Sequence, residues 1–370
     1  VNALYAAVVL AGGLSSRMKQ FKPLLPLGDG TVTDFVIDTF LNTGVDVYLV
    51  AGFRHDDIKT ALKKRDCTVI YNPEYELGMF SSIKAGIRHL PASYRSFFII
   101  PVDIPLVRSA TLKRLITAAE ATPGHIIYPV FRGKKGHPPL VPYGMAAAIL
   151  DRPGGTGLKA VLDSFKDSSR EIPVADGTIL RDIDTPEDYA GLLNRFQRYE
   201  IPTEAECEAI LYDIYKVPED RIKHCRQVAE VAKSIAKNLR RSGQVNTELV
   251  YAAALLHDIA KGQPKHDIAA GDMLREMGFG QTGEIVAVHT DLAGGNLQLS
   301  LEAKLVYLAD KLVAGDKLVT LEERYDPHNR PWQPTPESLA AIAGRYKVAC
   351  TVKAEMENLV GQPLENILRS

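Results

Sequence analysis

Hydrophobic positions follow two different rhythms along the chain, and the change comes near residue 200. Before it, short unbroken apolar runs alternate with amphipathic stretches. Ala6–Leu10 is an apolar run suited to a strand buried on both faces, because a strand covered by helices on each side has no polar face to show. Val32–Thr43, His55–Lys64 and Ser81–Leu90 carry helical spacing, whereas Val45–Ala51, Cys67–Tyr71 and Ser96–Val102 read as strands. The alternation predicts β-α-β units: an α/β domain with a mostly parallel sheet and helices on both faces. After residue 200 only helical spacing remains. Ala205–Tyr215, Glu219–Arg241, Thr247–Lys261, Asp267–Met277, Glu302–Glu323 and Pro336–Leu359 read as helices separated by glycine or proline breaks. The expected organisation is an α/β domain over 1–199 and an all-α domain over 200–370, joined by Glu200-Ile201-Pro202-Thr203. At 370 residues the chain is long enough for two cores.

Ligands of such α/β sheets lie beyond the carboxyl ends of the strands, and three polar segments fall there. The first strand runs through Leu10-Ala11 into Gly12-Gly13, with Arg17 and Lys22 close behind. Glycines let backbone N–H groups approach a polyphosphate, and cations can offset charge developing at phosphorus; a glycine pair also fits an ordinary strand-to-helix turn. Next, Asn72 to Gly86 puts Ser81 and Ser82 at a helix start, which binds an anion or is simply capped. Then Asp103 follows the strand of Phe97–Val102, where a carboxylate can hold Mg²⁺ or cap the helix near Ser109. Further on, Asp184 can ligate a metal, while Thr185-Pro186-Glu187 reads as a helix cap with a first-turn proline.

The whole run L-A-G-G-L-S-S-R-M-K-Q-F-K-P-L-L-P, Leu10 to Pro26, resembles the signature of the Rossmann-like nucleotidyltransferases, and within them the molybdenum cofactor cytidylyltransferases and guanylyltransferases. Lys19 departs from the glycine common at that place. The spacing Asn72, Gly78, Ser82, Gly86, the V-D-I-P-L around Asp103, Gly136-His137-Pro138, and D-I-D-T-P-E-D from Asp182 resemble later blocks of the same family. Gly154-Gly155-Thr156-Gly157 departs from it. The resemblance implies that Leu10, Ala11, Gly12, Gly13, Asn72, Gly78 and Ser82 hold the nucleotide, that Arg17 and Lys22 are catalytic, that Asp103 and Asp184 bind magnesium, and that the segment of His137 lies towards the acceptor; a histidine before two prolines equally fits a surface position. It further implies transfer from a nucleoside triphosphate to a phosphorylated acceptor, molybdopterin carrying molybdenum, with release of pyrophosphate and hand-over of the product to a molybdoenzyme. Gly12 leans towards GTP, the other blocks towards CTP, and CTP is favoured. The alternative is a nucleotidyltransferase for a sugar or alcohol phosphate.

In the helical half, His224, the adjacent pair His257-Asp258, His289 and Asp310 lie on stretches with apolar helical spacing, and His266 adds a further donor. A lone histidine there is usually a satisfied core residue, but a buried carboxylate beside one needs a partner. These nitrogen and oxygen donors suit divalent metals. Their order resembles that of the HD-domain metal-dependent phosphohydrolases over about Pro218 to Asp316. By that resemblance His224, His257, Asp258 and Asp310 hold one metal, His266 and His289 a second with Asp258 bridging, and Lys261 binds the substrate phosphate. Iron, manganese, cobalt and nickel all fit the donors. Two metals would activate water and clamp a phosphate in line; the other reading is a regulatory module that binds nucleotides without hydrolysis.

Charge adds an exclusion. Forty-four Lys and Arg balance 45 Asp and Glu, which gives no long-range grip on nucleic acid or an anionic membrane. Cys67, Cys207, Cys225 and Cys350 lack paired or metal-type spacing, as expected of reduced thiols in a cytoplasmic protein. Neither a signal peptide nor an apolar span is expected.

Overall fold

The computed structural model describes residues 4–13, 18, 20–62, 65–153, 157–239, 245–290, 299–327 and 335–368. Arg17, expected to be catalytic, lies outside them, as do Lys19, Gly154-Gly155-Thr156, Arg240-Arg241 and Gly294-Gly295-Asn296. The chain divides into two compact units, Val1–Arg198 and Tyr199–Ser370. Ile201, within the stretch read as a linker, is buried. Among the described residues no helix is long and apolar enough to cross a membrane.

The first unit opens with β1 (Tyr5–Ala11), a hairpin of β2 (Pro26–Leu27) and β3 (Gly30–Thr31), α1 (Val32–Leu41), β4 (Asp46–Ala51), α2 (His55–Ala61) and β5 (Thr68–Tyr71). It continues with α3 (Met79–Arg88), β6 (Ser96–Pro101), α4 (Ser109–Ala121), β7 (Ile126–Phe131), β8 (Lys134–Lys135) and β9 (Leu140–Pro142). Then come α5 (Ala146–Leu150), α6 (Gly157–Asp163), β10 (Ser169–Pro173) and α7 (Pro186–Gln197). The strands lie in the order β10-β7-β9-β6-β1-β4-β5, with β8 paired to β7. Pairing is parallel from β6 through β1 and β4 to β5, and the short β9 runs antiparallel between β6 and β7.

β1 is buried at every position, as its unbroken apolar run requires. Ala6, Val8 and Leu10 pack with Phe80, Ile83 and Ile87 of α3 and with Ile149 and Val161 of α5 and α6. On the opposite face Phe98 of β6 meets Phe40 of α1, ring centroids 5.4 Å apart. Gly86 explains the close seating of α3: a Cβ there would stand 2.4 Å from Val8 Cγ1. Thr185 and Asp188 form a capping box with Pro186 in the first turn of α7, which is the cap read from the sequence.

The second unit is helical: α8 (Glu204–Glu208), α9 (Glu219–Leu239), α10 (Thr247–Leu256), α11 (His266–Glu276), α12 (Gly280–Val286) and α13 (Leu301–Lys311). After a hairpin of β11 (Val313–Ala314) and β12 (Lys317–Leu318) come α14 (Leu321–Tyr325), α15 (Pro336–Val360) and α16 (Leu364–Leu368). Three expectations are corrected here. Ala205–Tyr215 is one α-helical turn and then a π-helix over Ala209–Ile214. Thr247–Lys261 stops at Leu256, so His257 and Asp258 stand where α10 ends; the chain then turns through Lys261 N to Asp258 O at 3.1 Å and Gly262 at φ 101°. Glu302–Glu323 is not one helix, because Gly315, at φ 60°, turns the chain into the β11-β12 hairpin.

Candidate functional sites

In the first unit the direction of strand succession reverses between β1 and β6: from β1 the chain proceeds through β4 to β5 on one side, while β6 lies on the other. A crevice at the carboxyl ends of the strands follows from that reversal. It is a cleft of ≈ 350 Å³ lined by Leu10–Gly13, Lys22, Gly78, Met79, Ser82 and Asp103, among others. Leu10 and Pro101 are register partners, so the glycine turn after β1 and Asp103 after β6 leave the sheet side by side.

Asp103 and Asp184 meet there because Ile183 N donates to Asp103 O at 2.9 Å, a main-chain bond that carries the 182–184 segment to the sheet edge. Lys22 Nζ lies 2.7 Å from Asp184 Oδ1 and 3.3 Å from Asp103 Oδ2. Burial pushes the Asp103 carboxyl up against the pull of Lys22, and Asp182 and Asp184 add to the rise. Burial would lower the Lys22 ammonium, but its bonds to Asp184 and Asp103 raise it. Two carboxylates thus share one ammonium, with Asp182 near enough to act on Asp103, an acidic cluster suited to a second cation.

Asn72 is placed differently from Ser82. It is buried behind the α3 start, where Nδ2 donates to Ser81 Oγ at 2.9 Å and Ser82 Oγ at 3.0 Å and Oδ1 accepts from Glu74 N at 3.0 Å. It therefore braces the serines, and Ser82 itself lines the cleft. His137 is half-buried with its Nδ1 enclosed, and its imidazole is pushed down by desolvation while Asp103 and Asp182 pull the other way. Asp182, given no role from the sequence, is thus felt by both Asp103 and His137; its signal was the second carboxylate of D-I-D.

In the second unit α9, α10 and α13 pack together and α11 pairs with α12. Asp258 stands at their meeting point with its two oxygens facing different histidines. Oδ2 lies 3.6 Å from His257 Nε2 and 4.0 Å from His224 Nε2, while Oδ1 lies 3.8 Å from both His266 Nε2 and His289 Nε2. Asp310 Oδ1 completes the first set at 3.2 Å from His224 Nε2 and 3.6 Å from His257 Nε2. Lysines offset the carboxylate charge: Lys261 pairs with Asp258 on the same Oδ2 that faces His224 and His257, and Lys311 Nζ lies 2.6 Å from the other oxygen of Asp310, Oδ2.

The residues fit a metal on an independent count of protons. His224, His257 and His289 direct Nδ1 to the carbonyls of Gly315, Ala254 and Val286 at 2.8, 2.7 and 2.7 Å. A neutral imidazole that donates from Nδ1 presents a lone pair at Nε2. Lone pairs then converge on carboxylate oxygens, an arrangement suited to a metal cation between them. His257 Nε2 is the clearest case, being fully buried and without a hydrogen-bond partner. Burial would raise Asp258 and Asp310, but for Asp258 chiefly the bonds to His289 and Lys261, and for Asp310 chiefly Lys311 and His224, hold the carboxyls low. Two donor groups emerge, His224-His257-Asp258 and Asp258-His266-His289. Sequence reasoning missed Lys311 and the three carbonyls; Gly315 was the available signal for one of them.

Residues 7–170 match the family described as MobA-like NTP transferase domain, and residues 221–315 match the HD domain. The molybdenum cofactor cytidylyltransferase of Escherichia coli (strain K12) is 30% identical over 190 residues, 51% of this chain and 95% of that enzyme. A probable molybdenum cofactor guanylyltransferase of Bacillus thuringiensis (strain Al Hakam) is 29% identical over 35% of this chain and 64% of its own length. A crystal structure of Rv0371c from Mycobacterium tuberculosis H37Rv, 27% identical, covers 52% of this chain and 99% of its own with a TM-score of 0.48. The chain belongs to the MobA-like nucleotidyltransferases and continues into an HD domain.

Proposed function

We propose that the first domain, residues 1–199, is a magnesium-dependent enzyme that transfers a cytidylyl group from CTP to molybdopterin carrying molybdenum. The relative that is a molybdenum cofactor cytidylyltransferase supports CTP and that acceptor, and GTP remains the second donor because of Gly12. An acceptor phosphate oxygen attacks the α-phosphorus; the new P–O bond forms as the bond to the β-phosphate oxygen breaks, and pyrophosphate leaves with the charge. The reading is carried by the convergence of Lys22, Asp103 and Asp184 on the cleft beside Leu10–Gly13. Asp103 and Asp184 would hold Mg²⁺, which supplies charge neutralisation on the phosphates. Leu10, Ala11, Gly12, Gly13, Gly78 and Ser82 cradle the nucleotide with Asn72 bracing them, and Lys22 and Arg17 offset charge developing in the transition state. The dinucleotide product passes to a molybdoenzyme.

The second domain, residues 200–370, acts as a metal-dependent phosphohydrolase in the same reading. His224, His257, Asp258 and Asp310 would hold one divalent ion and His266 and His289 a second through Asp258, with iron, manganese, cobalt or nickel as candidates. Such ions supply Lewis acidity towards water and phosphate. Lys261 holds the substrate phosphate near the histidines.

The test is pyrophosphate release by the full chain with magnesium, CTP or GTP in turn and the molybdenum-loaded pterin, beside Lys22→Ala. Release with CTP that disappears in the variant is expected; none with either nucleotide would overturn the acceptor. Phosphate release from a nucleotide panel, lost in Asp258→Ala, tests the second domain, and no release from the wild type would leave a nucleotide-binding module instead.

A further inference from the structure

His266 and His289 stand at or beyond helix ends, as His257 does at the end of α10. His266 is the first residue of α11, whose preceding residue, Lys265, is left-handed at φ 49° and provides no side-chain cap. His289 lies three residues beyond the last residue of the short α12. Helix ends fray unless something ties them. His224, by contrast, lies inside the 21-residue α9, and Asp310 inside α13.

Two contacts supply the missing restraint. Beside the ligands, Thr290 Oγ1 donates to Asp267 Oδ2 at 2.5 Å, linking the residue after His289 to the residue after His266. One turn along α11, Gly271 and Gly283 bring the helices to backbone contact. A Cβ on Gly271 would stand 2.7 Å from Gly283 O, and one on Gly283 would stand 2.6 Å from Gly271 O. Asp267 and Gly271 are four residues apart and share a helix face. Two fixed points on one face set both the spacing and the rotation of α11 against α12.

We propose that Asp267 and Thr290 are positioning residues for the second metal alone: their bond holds His266 and His289 on Asp258 Oδ1, and its loss empties that position while His224, His257, Asp258 and Asp310 keep the first. This rests on the two-metal reading above. Partners bonded directly to a ligand are worth about 10- to 100-fold in metal affinity, which sets the upper scale for this bond one residue removed from each histidine.

The experiment uses the full chain and Mn²⁺, counted by equilibrium dialysis and read by electron paramagnetic resonance. Ions sharing one carboxylate give an exchange-coupled signal, which an ion bound in the nucleotidyltransferase domain does not. Thr290→Val, which removes the hydroxyl at nearly constant volume, and Asp267→Ala are expected to lose the coupled signal and one Mn²⁺ per chain. Thr290→Ser should retain both, and His289→Ala marks the reference loss. A coupled signal in Thr290→Val and Asp267→Ala with second-ion affinity within about twofold of wild type would overturn the proposal. Loss of both ions in those variants would overturn it as well, since the bond would then serve the whole domain. Absence of a coupled signal in the wild type would instead defeat the two-metal reading itself.

Discussion

Lys22 and Asp184, 162 residues apart in the chain, are joined by a 2.7 Å ion pair. The partner segment arrives through one main-chain bond, Ile183 N to Asp103 O, so the nucleotide loop and the end of the domain converge on Asp103. Lys22→Ala is expected to lower the rate of pyrophosphate release by roughly 10²-fold or more, the scale of removing one transition-state charge partner. An unchanged rate would exclude Lys22 from the chemistry.

The acid limb of metal binding has a predicted direction. Burial first, and then Asp182 and Asp184, raise the Asp103 carboxyl, whereas Lys22 lowers it. A raised carboxyl takes up its proton at higher pH than a free aspartate, so Mg²⁺ affinity should fall on acidification before the ordinary aspartate range is reached. Lys22→Met should move that limb to still higher pH. Mn²⁺ titrations at stepped pH provide the measurement, and a limb moved downward would contradict the charge assignment.

Gly86 belongs to a motif associated with nucleotide binding, yet it lies on the sheet side of α3. Gly86→Ala forces a methyl group to within 2.4 Å of Val8 Cγ1. Overpacking of this kind costs about 1–3 kcal/mol. Urea unfolding should show that loss, with nucleotide affinity in the folded fraction nearly unchanged. A variant of normal stability that failed to bind nucleotide would return Gly86 to the site.

Metal removal should be visible in the stability of the HD domain. His257 Nε2 is buried without a partner, so a chelator leaves lone pairs facing carboxylates. Adding an ion at 100 times its dissociation constant stabilises the folded form by about 2.7 kcal/mol. Calorimetry should resolve a transition that falls on chelation and is restored by Mn²⁺ in the wild type but not in Asp258→Ala. A transition indifferent to chelator would count against the ligand set.

Much of this was legible in the sequence, and the failures have physical causes. The apolar run of β1 and the glycines after it marked the sheet and its ligand edge because a doubly covered strand permits no polar position. His257-Asp258 stood out because a carboxylate among alanines and leucines requires a partner. The helix drawn through Glu302–Glu323 failed because apolar spacing persists across the β11-β12 hairpin and only Gly315-Asp316 marks the turn. The spacing presents Asn72 as a nucleotide contact, whereas its hydrogen bonds run to Ser81 and Ser82 of α3 and to Glu74, a distinction that residue spacing does not carry. The pairing of Lys22 with Asp103 and Asp184 is not legible in the sequence, because the residues lie far apart in the chain and the same carboxylates also suit magnesium.

The carbonyls of Ala254, Val286 and Gly315 settle which nitrogen each of three histidines turns towards Asp258 and Asp310. These acceptors belong to the main chain, so no exchange of side chain deletes them. An alanine scan would pass over the atoms that orient the imidazoles, and a transplant of the ligand side chains alone onto another helical scaffold would arrive without them. What must be copied is the path of the backbone at two helix ends and one hairpin.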